Sequence, residues 1–237
     1  FDNDGQGYGI KDYYKGEFDL AFTFPFYWLA GGMFKNGESV GGIDWLMQAI
    51  SERFASDAVM CFFIENHDVP WYSTIYEEWD RSEDKLVAAN TLMQTLPNSP
   101  QLLYGQELGS STWRGMMPWA KDTEGNTLKQ AYRELMLLRR DHEALRRGEY
   151  VRLPLLGGAD QDVFAFARVG TEETLVVIIN VRAWQALDVG VDLSPLGGTP
   201  SGIQDLLGSG DWNTAGASLE SRVLQPYERW IGVLQGG

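Results

Sequence analysis

Three consecutive polar residues, Asn66, His67 and Asp68, follow the apolar run AVMCFFI in the stretch FIENHDVPW. A carboxamide, an imidazole and a carboxylate side by side can accept hydrogen bonds, donate them and carry charge. Further along, YGQELG sets Glu107 in a place comparable to Asp68, and Trp71, Tyr72, Trp113 and Trp119 fall in the segments behind these runs. This mixture suits a carbohydrate. Sugar hydroxyls need directional polar partners, and the C–H faces of a pyranose stack on aromatic rings. A lone His-Asp pair also fits a blander reading, in which Asp68 caps the next segment and His67 packs as a satisfied polar residue. What favours a site is the grouping of such residues at the ends of successive strands, where parallel sheets build their active sites.

The elements that would position these groups can be read from the pattern. FDLAFTF, AVMCFFI and PQLLYG are strand-like, begin about forty residues apart and alternate with helical segments, which predicts βα units and a parallel sheet. GGIDWLMQAISERF carries Ile43, Leu46, Met47 and Ile50 on one face, and DRSEDKLVAANTLMQTL opens with Asp80 and Glu83 in capping-box spacing. LKQAYRELMLLRRDHEALRRG puts Leu128, Ala131, Tyr132, Leu135 and Leu138 on one stripe and stops at Gly148. From Tyr150 the chain changes to short β-rich runs between turn residues: DVFAFARV, TLVVIINV, ALDVGVDL and RWIGVL. These predict an antiparallel β-sandwich or barrel. Two domains are expected, 1–147 and 148–237. The aromatic residues Phe164, Phe166, Trp184 and Trp230 of the second read as core or interface rather than as a sugar platform.

Composition narrows the partners. With 237 residues, 44% of them hydrophobic, the chain can bury a sizeable core, and its net charge of −14 disfavours nucleic acid and anionic membrane surfaces. Arg139, Arg140, Arg146 and Arg147 alternate with acidic residues and read as a solvated helix face, with His142 on the surface among them. No run approaches a membrane span. Cys61, the single cysteine, reads as a buried core residue. Asp2, Asp4 and Gly5 resemble the start of a calcium loop, but Lys11 stands where the closing glutamate belongs, so a plain turn is the expectation.

FIENHDVP resembles the strand-seven motif of the α-amylase family of glycoside hydrolases. SEDKLVAANTLMQTLPNSPQLLYGQELG resembles that family's helix seven and strand eight. RGMMPW, starting at Arg114, resembles the following loop, and LMLLRRDHEALRRGEY the last barrel helix and the exit into the C-terminal β-domain. The resemblance implies a partial (β/α)8 barrel, strands six to eight, followed by an antiparallel β-sandwich. It implies a retaining enzyme that cleaves or transfers α-glucosidic bonds in α-glucans or maltooligosaccharides. Asp68 matches the carboxylate that stabilises the transition state; His67, Asn66, Trp71, Tyr72 and Arg114 match substrate-facing positions. No cofactor or metal is expected in this chain, though calcium could bind in the part of the family fold that the chain does not match.

The family's nucleophilic Asp and acidic Glu, at the ends of strands four and five, have no counterpart here. The chain is therefore expected to be the C-terminal portion of a longer enzyme, inactive alone, with one sheet edge and one apolar sheet face unpartnered. A non-catalytic relative or carbohydrate-binding protein on the same scaffold is the alternative. Secreted, periplasmic and cytoplasmic settings all stay open, as does oligomeric state.

Overall fold

The computed structural model describes residues 9–69, 82–110 and 114–236. Asp2, Asp4, Gly5, Trp71, Tyr72, Asp80 and Trp113 lie outside them. Three short strands, β1 (Leu20–Phe22), β2 (Val59–Phe62) and β3 (Ser99–Pro100), form a parallel sheet in that order. Backbone bonds extend it past β1 and β3: Thr23 N–H donates to Cys61 O at 2.9 Å and Gln101 N–H to Phe62 O at 2.8 Å. Two helices, α1 (Phe24–Asn36) and α2 (Gly41–Arg53), join β1 to β2, and α3 (Ser82–Thr95) leads into β3. The segment after β3 ends in α4 (Thr127–Asp141) and α5 (Glu143–Arg147). Among the described residues no helix is long and apolar enough to cross a membrane.

The remainder is antiparallel. β4 (Glu149–Arg152), β6 (Val163–Val169), β7 (Thr174–Asn180), β11 (Arg229–Gln235) and β9 (Gly202–Asp205) make one sheet in that spatial order. β5 (Leu155–Leu156), β8 (Leu187–Asp192) and β10 (Ser218–Leu224) make a second, with β8 central. Between them Val163, Ala165, Val176, Ile178, Val189, Leu219 and Trp230 form a dry core, which gives the expected sandwich.

The opposite face of the five-stranded sheet is dry as well. Phe164, Phe166, Leu175, Val177, Ile179 and Ile231 join one core with Phe62, Leu92, Leu135 and Leu145 from the α/β part. Strand alternation explains this, because odd and even residues of β6 and β7 point to opposite faces and both faces are covered. Phe164, Phe166 and Trp230 are accordingly buried, whereas Trp184 is exposed.

Helix α3 occupies the middle. Every residue from Lys85 to Thr95 is buried, as a helix must be when α1, α4, α5 and β7 pack around it. Its carbonyl end then has no water to bond. Two arginines fill that need. Arg139 donates to Gln94 O at 2.6 Å, to Leu145 O at 3.0 Å and to Asn98 O. Arg168 donates to Thr95 O, to Leu145 O at 3.0 Å and to Gly148 O at 2.8 Å. Each cation also sits at the negative end of the α3 dipole. Burial pushes both guanidinium groups down, Arg139 to about 10 and Arg168 to about 9, and each is pushed further by a neighbouring arginine.

Two expectations are corrected here. Arg139 does not belong to the solvated face: it lies on the same stripe as Leu128, Tyr132 and Leu135, while Arg140, Arg146 and Arg147 stay exposed. His142 is not a free surface residue either; its Nδ1 lies 2.8 Å from Glu173 Oε2, with about a fifth of each side chain exposed. Glu173 also accepts from Ala144 N–H at 3.1 Å, so one carboxylate ties the break between α4 and α5 to the β6–β7 turn.

Replacing Arg168 with Met should lower stability by about 3 kcal/mol or more, because several buried carbonyls lose their donors at once. Urea unfolding checks this, and Arg168→Lys should recover only part of the loss, since an ammonium group cannot span the same carbonyls.

Candidate active site

The chain leaves β2 through Phe63 and Ile64, both fully buried, and Glu65, which is 1% exposed. Glu65 lies near Tyr27, whose hydroxyl is pushed up first by burial and then by the Glu65 charge. From this fixed base the backbone folds over itself. Asn66 and Val69 pair in an antiparallel bridge, with bonds of 3.3 and 3.2 Å. The Asn66 side-chain oxygen accepts from the amides of Asp68 at 2.8 Å and Val69 at 3.1 Å. A short amide side chain is suited to this, since it reaches backbone two residues on and closes the turn from within.

His67 and Asp68 form the exposed tip of that turn, with side chains 67% and 58% exposed and His67 Nε2 3.5 Å from Asp68 Oδ2. Arg114, from the loop after β3, clamps the tip twice. Its Nη2 donates to Asp68 Oδ1 at 2.7 Å and its Nε to the His67 carbonyl at 2.7 Å. One guanidinium thus fixes a carboxylate and the main chain beside it. An exposed pair of this kind adds little stability. Its geometric effect is to leave Asp68 Oδ2 and the His67 ring facing solvent while Oδ1 is held, an arrangement that can grip adjacent hydroxyl groups.

Glu107, expected in a place comparable to Asp68, is more deeply buried than Asp68. It sits in a short 3₁₀ turn, Gln106–Leu108, and is half-buried. Its Oε2 and both amide atoms of Gln106 are buried without hydrogen-bond partners among the described residues. The structure therefore brings Asn66, His67, Asp68 and Arg114 together and directs Glu107 inward. Sequence reasoning overlooked Glu65, whose place in FIENHD marks it as the last residue before the turn.

No family model matches the chain. Alpha-amylase 2 of Dictyoglomus thermophilum is 26% identical over 189 residues, which is 71% of this chain and 31% of that protein. An Anoxybacillus alpha-amylase structure superposes with a TM-score of 0.81 at 20% identity, over 98% of this chain and 50% of that one. The alpha-amylase of Geobacillus thermoleovorans, solved with acarbose, gives a TM-score of 0.77 at 18% identity over 96% of this chain and 50% of its own. The resemblance to the α-amylase family is thus borne out in sequence and in fold. The chain spans about a third of that curated relative and half of the solved structures.

Asn66→Ala should free the Asp68 amide and leave Val69 N–H with only its backbone bond to Asn66 O. Hydrogen exchange at Asp68 is expected to accelerate by about tenfold, the equivalent of one hydrogen bond, while exchange in β2 stays unchanged.

Proposed function

We propose that this chain supplies the C-terminal half of a retaining glycoside hydrolase or transglycosylase acting on α-glucans. The observation that carries this reading is the turn at the carboxyl end of a parallel strand, where Asn66 shapes the backbone and Arg114 aims Asp68. In this reading Asp68 bonds the hydroxyls of the sugar at the cleavage point and helps bend the ring toward its oxocarbenium-like transition state. His67 bonds the same sugar, and Arg114 sets the carboxylate's direction. The carboxylate that attacks the anomeric carbon and the one that protonates the leaving oxygen come from residues outside this chain.

β1, β2 and β3 would then be strands six to eight of an eight-stranded barrel, with the domain boundary at residues 147 and 148. Half-exposed Leu20, Phe22 and Val59 support that arrangement. They lie on the sheet face turned away from the helices, where a closed barrel would cover them.

Two outcomes follow. The 237-residue chain alone should release no saccharide from maltooligosaccharides, and turnover by rigorously purified chain would refute the division of catalytic groups. In a longer protein that contains the attacking and protonating carboxylates, Asp68→Asn should lower kcat by about a thousandfold with little change in KM, because the lost contact acts mainly in the transition state. Circular dichroism should be unaltered. An Asp68→Asn enzyme of ordinary activity would remove the assignment.

A further inference from the structure

The turn that carries Asp68 leaves β2 between aromatic rings supplied by the start of α1. Along the exit of β2 alternate side chains face opposite ways. Phe62 and Ile64 enter the core shared with the helices, which leaves Phe63 and Glu65 on the other side. Helix α1 grips both. Phe26 stacks on Phe62 with ring centres 4.3 Å apart and planes 4° from parallel. Opposite it, Tyr27 stacks on Phe63 at 5.7 Å and 15°, and Phe24 meets the same ring edge-on at 5.0 Å. Phe22, at the end of β1, adds another edge contact with Phe63 at 5.7 Å.

The sequence allows one short segment to do this. Pro25 opens the helix directly after β1, and Thr23 N–H bonds Cys61 O at 2.9 Å, so the first turn of α1 is fixed to β2 at the carboxyl end of the sheet. The packing is local. Leu20, Phe22 and Val59, on the same sheet face as Phe63, stay half-exposed, while Phe63 is fully buried. Tyr27 extends the grip toward the site. Its ring covers Phe63, and its hydroxyl is pushed up by burial and then by the charge of Glu65, the residue just before Asn66. Tyr27 therefore acts on the chain at two positions, two residues apart, immediately below the turn.

We propose that Tyr27 is a positioning residue for the carbohydrate site: through Phe63 and Glu65 it sets the direction of the turn on which His67 and Asp68 meet the sugar. This rests on the carbohydrate reading of that turn. Arg114 holds the Asp68 carboxylate from the solvent side, and Tyr27 holds the backbone beneath it. Both are needed, because a carboxylate that acts on a distorting ring must keep its place, and a shift of about 1 Å costs about a hundredfold in rate. A ring stacked on a ring suits the task, since it resists tilting in a way that an aliphatic contact does not.

Tyr27→Leu removes the ring and Tyr27→Phe keeps it. In the purified chain, Tyr27→Leu should speed hydrogen exchange of the Asp68 amide by about tenfold and move the Arg114 Nε–H resonance toward that of a free arginine, whereas Tyr27→Phe should resemble the parent. Val189→Ala, in the core of the sandwich, controls for stability: it should lower the thermal midpoint and leave both signals alone. In a longer protein that contains the attacking and protonating carboxylates, Tyr27→Leu should lower kcat by about tenfold to a hundredfold with KM within about twofold, and Tyr27→Phe should restore most of the loss. Phe24→Leu, which loses only an edge contact, should show the same pattern at smaller amplitude and serves if Tyr27→Leu does not fold. Unchanged Asp68 exchange in both leucine variants, or a fall in kcat no larger than that of Val189→Ala, would refute the positioning role while leaving the carbohydrate reading intact. An Asp68→Asn enzyme of ordinary activity would remove that reading and the catalytic role of Tyr27 with it, even where the exchange data show Tyr27 holding the turn.

Discussion

A helix that is buried on all sides must find partners for its last carbonyls inside the protein, and this requirement organises much of the molecule. Water cannot reach the end of α3, so protein donors must. Arg139 comes from α4 and Arg168 from β6, and both also bond the end of α5. The carbonyl ends of two helices and one β-strand of the sandwich therefore converge on two guanidinium groups. Desolvating two like charges so near each other is costly, as their lowered proton affinity records. Convergent carbonyls, the helix dipole and the Glu143 charge offset that cost.

The site inherits its geometry from the same arrangement. Helix α3 lies in the chain between the β2 turn and β3. Anchoring the helix fixes where β3 begins, and so where the loop carrying Arg114 can return. The turn itself is stiff for local reasons: buried Phe63, Ile64 and Glu65 hold its base and the Asn66 carboxamide fills its interior. What stays exposed is the chemistry at its tip. A rigid scaffold below and open polar groups above is the usual division of labour at a loop site.

Much of this was legible as pattern, and each misreading has a physical cause. Strands β6, β7, β8 and β11 announce themselves as short β-branched runs between turns. Arg139 was misread because its charged neighbours suggest a solvated face, yet it follows Leu128, Tyr132 and Leu135 at helical spacing and so points inward. Arg168 follows Phe164 and Phe166 at strand spacing and does the same. For both arginines the phase of the element, not the polarity of the residue, decided its direction. His142 instead caps α4 in an extended conformation, and the break before α5 turns it toward Glu173. Helix α1 escaped notice for the opposite reason: FPFYWLAGGMFKN has almost no polar face and two internal glycines, so no periodicity shows, although Pro25 at its start and left-handed Gly37 at its end mark its limits. Strand β10 is obscured by an irregular register between Leu219 and Arg222, which breaks the alternation of SLESRVL. The pairing of Arg114 with Asp68 could not be read at all, because it joins residues 46 apart through a loop closure that no local pattern encodes.

The five-stranded sheet has both faces dry, and this bears on what the word domain can mean here. By topology the last ninety or so residues are a self-contained sandwich. Separated from the helices, however, they would turn Phe164, Phe166, Val177, Ile179 and Ile231 toward water and leave Arg168 without its helix carbonyls. Such a surface invites self-association rather than solubility. Recombination that exchanged only the sandwich would therefore need a replacement bearing the same apolar face and an arginine in the same register. The unit that can be exchanged is the sandwich together with α3, α4 and α5, and that unit carries Arg114 but not the turn it clamps.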